Sequence, residues 1–324
     1  MERNIHGNGV FPIELLLLTV NIVLPLFLMM ATGYAFRRAG LVDARLIKGM
    51  NKLVFQLFLP LSLMQSLLRV QPDSVASPKV LLYGLFGTIA VAAVSAAVVP
   101  RFVSENARRG VIIQGLFRSN YAIFGIPLSE AIFPQGDGGV AAMMVMATIP
   151  IYNILGVIVL ETYRGGRVDV LKILKGILKN PLLWGCVAGF TLMECRVTLP
   201  SSLTSVITKF GQVASPLALF CLGGTIDIKA LGRNRRSLTF MSFMRLIGVP
   251  AVMLAVAYAM GFRGVEFAVL MIAFGSPCAV SSYTMAAQMD GDAELAGQQV
   301  MITTVLSSLS MFLMIYLFKG VGIF

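Results

Sequence analysis

The chain has little charge and few of the residues that polar catalysis needs. Only 13% of its 324 residues are charged, with 26 Lys and Arg against 15 Asp and Glu. Its one histidine, His6, stands in the N-terminal tail, which excludes a histidine-based metal centre and a His-dependent triad. The four cysteines, Cys186, Cys195, Cys221 and Cys278, have no C-x-x-C spacing and mostly lie in apolar stretches, where thiols serve as small packing groups. No G-x-x-x-x-G-K-[ST] run is present, so no phosphate loop of its own couples ATP. No cofactor, no bound metal and no enzymatic activity are expected.

What the chain does have is hydrocarbon. Hydrophobic residues make up 57% of it and the mean hydropathy is +0.84, which places it in a bilayer. Charge-free stretches of about 20 residues, the length that crosses a roughly 30 Å core, run over 15–36, 80–100, 138–160, 267–289 and 295–318. Further spans at 46–68, 110–132, 181–194, 203–225 and 238–260 bring the expectation to ten helices, the sixth being short. The first span is too long for a signal-peptide core and has no clear cleavage site after it, so it reads as a retained helix.

Orientation follows from the distribution of Lys and Arg, which accumulate on cytoplasmic loops. Sixteen fall on one side, among them Arg37, Arg45, Arg108, Arg164, Arg167, Arg233, Arg235 and Arg236, and six fall on the other, Arg3, Arg69, Lys79, Arg196, Arg263 and Lys319. Ten spans then place both termini outside the cytoplasm. The same bias accounts for the net charge of +11 without a nucleic-acid partner.

Two spans carry a Gly-x-Pro, at Gly125-Ile126-Pro127 and at Gly275-Ser276-Pro277. A freed backbone group in lipid costs several kcal/mol unless something re-satisfies it. Helices are therefore broken at depth where the break lines a cavity or a ligand, and a matched pair of breaks points to a site between two repeats. The prolines repeat as well. Pro25 to Gly33 matches Pro181 to Gly189, and the Pro60 segment matches the Pro216 segment, both at an offset of 156 residues, against 150 for Pro127 and Pro277. Five helices per unit is an odd number, so the second unit enters from the opposite side and the duplication is an inverted repeat. The units expected are 1–162 and 180–324, joined by a short cytoplasmic linker at 163–179.

Several stretches resemble the auxin efflux carrier family: Asn51-Lys52-Leu53-Val54-Phe55 with Leu59-Pro60, Arg118-Ser119-Asn120-Tyr121 through Gly125-Ile126-Pro127, Pro150-Ile151-Tyr152-Asn153, Lys179-Asn180-Pro181, Pro216-Leu217-Ala218-Leu219-Phe220, and Ser281-Ser282-Tyr283 with Gly291-Asp292-Ala293-Glu294. The resemblance covers essentially the whole chain. It implies an all-α integral membrane fold of ten transmembrane helices in two inverted five-helix repeats, with broken helices 4 and 9 crossing as in bile acid:sodium symporters. It also implies transport of organic carboxylates, auxin-like monocarboxylates in plant members and malate- or malonate-like dicarboxylates in bacterial ones. The short central linker is similar to the bacterial type, which implies a bacterial inner membrane. The expected partners are the carboxylate, membrane lipid, a proton or sodium as coupling ion, and a second copy in a homodimer.

The candidate substrate-binding residues are Asn120, Gly125, Pro127, Asn180, Gly275, Pro277, Ser281 and Ser282, with Arg118, Tyr152 and Asn153 in support. Half-helix N-termini hold a carboxylate without a dedicated lysine, and Asn120 lies on the approach to the first break. The resemblance matches Asn120 and Asn180 to substrate-contacting asparagines of the plant carriers; the alternative for each is an amide satisfied by the helix break itself. Arg118 either neutralises Glu130 or Glu161 or meets the anion. Ser281 and Ser282 either ligate substrate or ion or back-bond helix carbonyls. Tyr152 and Asn153 are expected to hold the freed backbone of the fourth span, Lys52 and Arg245 to snorkel, and Met143, Met144 and Met146 to face lipid or pack in the core.

The reading is a secondary transporter of organic carboxylates that works by elevator-type alternating access, with helices 1, 2, 6 and 7 as scaffold and 3 to 5 and 8 to 10 as the moving part. A sodium-coupled importer of the bile acid symporter type is the rival within transport. A cation/proton antiporter would need paired mid-membrane acids. A non-transporting membrane sensor is the rival from another class.

Overall fold

A computed structural model describes residues 12–68, 77–133, 138–164, 170–226 and 228–324. His6, Arg3, Arg69 and Arg167 lie outside the described residues. Among those described, the regular structure is helical, joined by one isolated antiparallel bridge between Ser119 and Cys278. The helices are α1 (Pro12–Arg38), α2 (Ala44–Leu53), α3 (Leu59–Leu68), α4 (Pro78–Val98), α5 (Asn106–Phe117), α6 (Tyr121–Ile132), α7 (Gly138–Arg164), α8 (Val170–Lys179), α9 (Pro181–Glu194), α10 (Ser201–Thr225), α11 (Ile228–Phe243), α12 (Val249–Ala259), α13 (Gly264–Gly275), α14 (Ser281–Gln288) and α15 (Ala293–Gly320).

Among the described residues, six stretches are long and apolar enough to cross a membrane: Thr19–Arg38, Pro78–Arg101, Val140–Arg164, Ser201–Thr225, Leu231–Ala259 and Ala293–Gly320. The other expected spans are composite or short. α2 and α3 run together through a π turn at Val54–Phe58, and α11 and α12 through another at Met244–Gly248. Each π turn ends two residues before a proline, Pro60 or Pro250. A proline withholds its N–H and its ring crowds the carbonyl four residues back; the wider turn absorbs that mismatch without ending the helix. The expected linker at 163–179 contains the ten-residue helix α8, whose Leu171, Leu174 and Leu178 are exposed.

The surface carries the apolar residues that a bilayer accepts. Leu28, Phe86, Val94, Val252 and Leu317 are all more than half exposed. Polar groups go inside, where Thr148, Ser276, Thr284 and Thr303 are fully buried.

Glycine lets four helices pack backbone to backbone. A Cβ at Gly33 of α1 would fall on the Phe220 carbonyl of α10, and one at Gly189 of α9 would meet the Met64 Cα of α3. These two contacts relate residues 156 positions apart on both sides, 33 with 189 and 64 with 220. Gly223 against the Met30 carbonyl and Gly185 against Pro60 complete the joint.

The start of α5, the end of α7, α11 and the connection between α14 and α15 are tied together. The Asp292 N–H donates to the Ala107 carbonyl at 3.1 Å, Arg164 pairs with Asp290 at 2.8 Å, and Arg233 pairs with Glu294 at 2.8 Å. Lys79 donates to the Met260 carbonyl and the Gly264 N–H to the Ile323 carbonyl, joining the start of α4 to the end of α12, and the start of α13 to the C-terminus.

The break in the fourth expected span is not at its Gly-x-Pro. α6 runs through Gly125 and Pro127, and the chain leaves the helical path at 118–120, with Arg118 extended at φ −82° and ψ 104°. The second break falls where expected, at 276–280, because Pro277 drives Ser276 to φ −61° and ψ 153°. The first break has no proline to cause it. Its freed backbone is satisfied by the second: the Asn120 N–H donates to the Pro277 carbonyl at 2.9 Å and the Ala279 N–H to the Arg118 carbonyl at 3.2 Å.

Candidate functional site

The two breaks cross at the Ser119/Cys278 bridge, and a cavity of about 80 Å³ opens beside it. Its walls are Arg118, Ser119, Asn120 and Ala122 from the first break, Ala279, Val280 and Ser281 from the second, Ile149, Tyr152 and Asn153 from α7, Ser62 and Ser66 from α3, and Ser215 and Ala218 from α10. The helices that begin here, α6 and α14, start at the cavity wall, the Ile123 and Phe124 N–H groups donating to the Asn120 carbonyl and those of Ser282 and Tyr283 to the Ala279 and Val280 carbonyls. Their positive dipole ends therefore sit at the cavity.

Arg118 supplies the full charge. It is 2% exposed, and one terminal nitrogen donates to Asn153 Oδ1 at 2.6 Å and Ser281 Oγ at 2.9 Å while the other lies against Met285 Sδ. All three partners are neutral. The expected carboxylate is absent from this set: Glu130 is exposed on α6, and Glu161 pairs with Arg164 at 3.0 Å. A buried cation without a counter-ion bears a desolvation cost of several kcal/mol, which an entering anion relieves. The extended residues between α5 and α6 bring Arg118 and Asn120 to one cavity.

Asn120 has its backbone tied into the bridge, and its carbonyl accepts from the Ile123 and Phe124 N–H groups. Its side chain makes no cap. The Nδ2 amide is buried and unpartnered, a donor held at the cavity wall with nothing to donate to. Asn153 is fixed by its own bond to the Ile149 carbonyl at 2.8 Å, so it orients Arg118 and does not hold the backbone of the fourth span. The Tyr152 hydroxyl lies beside those of Ser119, Thr88 and Thr148.

Arg245 does not snorkel. It is 1% exposed, and donates from Nε to the Ser276 carbonyl and from a terminal nitrogen to the Leu116 carbonyl, both at 2.9 Å. Those carbonyls end α13 and α5, so one guanidinium covers the negative ends of both half-helices. The crossing thus carries Arg245 against the C-terminal ends, and Arg118 with two N-termini toward the cavity.

The remaining expected residues divide. Ser281 is in the wall as Arg118's acceptor. Ser282 is buried behind it with an unpartnered hydroxyl. Pro277 contributes its carbonyl to the bridge, and Gly275 ends α13, where a Cβ would meet Met314 and Met311. Gly125 packs beneath the Tyr121 ring and Pro127 is exposed on α6, so neither reaches the cavity. Asn180 caps α9: its Oδ1 accepts from the Leu182 N–H at 3.0 Å and its Nδ2 faces Met289 Sδ at 3.7 Å. Lys52 is exposed, and Met144 is fully buried between half-buried Met143 and Met146. Sequence reasoning missed Ser62, Ser66, Ser215 and Arg245. The serines follow or precede the paired Pro60 and Pro216, which marked the repeat but not a wall.

A hydrophobic all-helical chain with crossed helix breaks around a cationic internal cavity is built as a membrane transport protein. The comparisons agree: the family model described as membrane transport protein matches residues 18–315. The chain belongs to that family, the auxin efflux carrier family of membrane transporters. It is 24% identical over 297 residues to an uncharacterized transporter of Methanothermobacter thermautotrophicus, covering 89% of this chain and 95% of that protein. It is 23% identical over 160 residues to auxin efflux carrier component 1 of Arabidopsis thaliana, covering 48% of this chain and 26% of the plant protein.

Proposed function

We propose that this transporter carries a small organic carboxylate, bound at the crossing by Arg118, Asn120 and the first turns of α6 and α14. The observation that supports this most is the pairing of a buried guanidinium that has only neutral partners with the unpartnered Asn120 amide on one cavity wall. Charge-assisted hydrogen bonds from both to one carboxylate are the strong kind. The cavity of about 80 Å³ is far below the roughly 300 Å³ at which drug-sized pockets begin, so it suits a malate- or malonate-sized acid, or the carboxylate end of a longer one.

The wider reading is ten spans in two inverted five-helix repeats, 1–162 and 180–324, that move by an elevator mechanism. The glycine joints of α1 with α10 and α3 with α9, repeated at 156 residues, support a scaffold of helices 1, 2, 6 and 7. The cavity lies between that scaffold and the crossed helices, where a moving part would carry it. With both termini outside, the basic loops are cytoplasmic, and an inside-negative potential favours anion exit by about 2.3 kcal/mol per charge per 100 mV.

Sodium coupling is a second reading. The buried, unpartnered oxygens Gln114 Oε1, Thr284 Oγ1 and Thr304 Oγ1 near the breaks are of the type a hard cation accepts. A thermal-shift and proteoliposome-flux series with mono- and dicarboxylates, with and without sodium, tests both. Sodium-independent binding of a dicarboxylate is the expected result. A shift that needs sodium favours the second reading, and no shift with any carboxylate removes the anion site.

A further inference from the structure

Away from the crossing, a groove of about 520 Å³ runs along the outer face between α11 and α15. Leu238, Phe243, Leu246 and Ile247 line one wall and Ile302, Leu306, Leu309 and Leu313 the other. Two features set it apart from an ordinary lipid-facing surface. Ser242 also lines it, buried to 6% exposure with a hydroxyl that has no partner. At its rim stands Arg235, and a second, adjoining hollow is lined by Arg235 together with Arg236.

The basic run on α11 is split by function. Arg233 is paired with Glu294 at 2.8 and 3.1 Å, and Asn234 bonds Glu294 and Gln298. That network uses the carboxylate nearest to this turn. Arg235 and Arg236, on the same helix, are exposed and have no ion pair among the described residues. Arg235 lines both the apolar groove and the adjoining hollow that Arg236 also lines, so an anionic headgroup seated above the groove meets positive charge on both.

The dimensions agree. From Arg235 to Ile247 is twelve residues, a rise of about 18 Å at 1.5 Å per residue, close to half of a roughly 30 Å hydrocarbon core. The groove therefore spans about one leaflet, with its charged end at the loop end of α11.

We propose that this groove is a binding site for an anionic phospholipid, with an acyl chain between α11 and α15, its glycerol ester region at Ser242 and Thr239, and its phosphate on Arg235 and Arg236. The site does not depend on the carboxylate reading. Because α11 and α15 both touch the elements that build the crossing, a bound lipid ties the moving part to the leaflet beside the basic loops. A zwitterionic lipid of the same chains lacks the net charge that two arginines attract; each juxtamembrane arginine corresponds to a roughly fivefold preference.

Native mass spectrometry of the detergent-purified protein tests it, with phosphatidylglycerol and phosphatidylcholine of identical chains added in competition. The expected result is retention of phosphatidylglycerol over phosphatidylcholine by about tenfold or more, lost in R235Q/R236Q and also in L309W, which fills the groove from an exposed position. Both variants should elute and melt like the parent. Equal retention of the two lipids overturns the headgroup assignment. A phosphatidylglycerol preference that survives both variants places the lipid elsewhere and overturns the site. A dimer that L309W dissociates, with no lipid bound, shows that a second copy covers the groove and overturns it too.

Discussion

The Asn120 N–H donates to the Pro277 carbonyl at 2.9 Å. That bond joins residues 157 positions apart and ties together the two helix breaks at 118–120 and 276–280. In a low-dielectric interior an unmade bond of this kind costs several kcal/mol, so the break at 118–120, which has no proline, exists because the break at Pro277 completes it. The crossing is the fixed point from which Arg118, Asn120 and Ser281 face one cavity.

Asn120→Ala should weaken carboxylate binding while leaving the protein folded, since its Nδ2 amide has no partner within the protein. A hydrogen bond to a charged group contributes about 1.5 to 3 kcal/mol, so isothermal calorimetry should show a tenfold to hundredfold loss. An unchanged Kd removes Asn120 from the site.

Arg118→Gln should abolish binding of the anion, and Arg118→Lys should restore part of it. Lysine keeps the charge, but its single nitrogen cannot hold Asn153 and Ser281 and also lie against Met285 as the two-pronged guanidinium does. Flux measured in proteoliposomes decides this; full activity of the glutamine variant would mean that the guanidinium is only structural.

Arg245→Met should lower the melting temperature instead of the affinity alone. It strips donors from the Leu116 and Ser276 carbonyls, and each buried group left unsatisfied costs about 1 to 3 kcal/mol. Thermal unfolding in detergent, compared with Asn120→Ala, separates the two roles: the methionine variant should melt several degrees lower, and equal melting points would contradict the clamp.

Pro277→Ala and Pro127→Ala should part company. Pro277 sets the extended Ser276 at the crossing, and its replacement lets α13 continue, so flux should fall to a small fraction of wild type. Pro127 lies on an exposed turn inside α6, and its replacement should leave flux near normal. The reverse order would put the working break back at Gly125–Pro127.

Cys195, exposed at the end of α9, reports orientation. With both termini outside, an impermeant maleimide added to intact cells should label wild type and not Cys195→Ser, because Cys186, Cys221 and Cys278 are buried. Absence of labelling until the cells are opened would invert the topology.

The membrane class, the approximate spans and the second break are written locally in the chain. Hydrophobic length is a property of consecutive residues, and Pro277 constrains Ser276 through steric contact between neighbours, so no tertiary information is needed to read either. The repeat offset of 156 at Pro25, Pro60, Pro181 and Pro216 is local in the same sense. The first break is different. Nothing in Arg118-Ser119-Asn120 forbids a helix, while Pro127 suggests a stop that α6 does not make; the chain opens at 118–120 because the other break offers it a carbonyl and an N–H from 157 or more residues away. Arg245 was misread for the same reason. Near a span end a lone arginine ordinarily reaches for water, and only the meeting of two helix C-termini beside it supplies carbonyls that hold it inside. The sequence by itself determined a helical membrane transporter with paired discontinuities. The tertiary structure alone decided which polar residues share the cavity, because backbone groups freed at one break can be satisfied only by a partner that sequence distance hides.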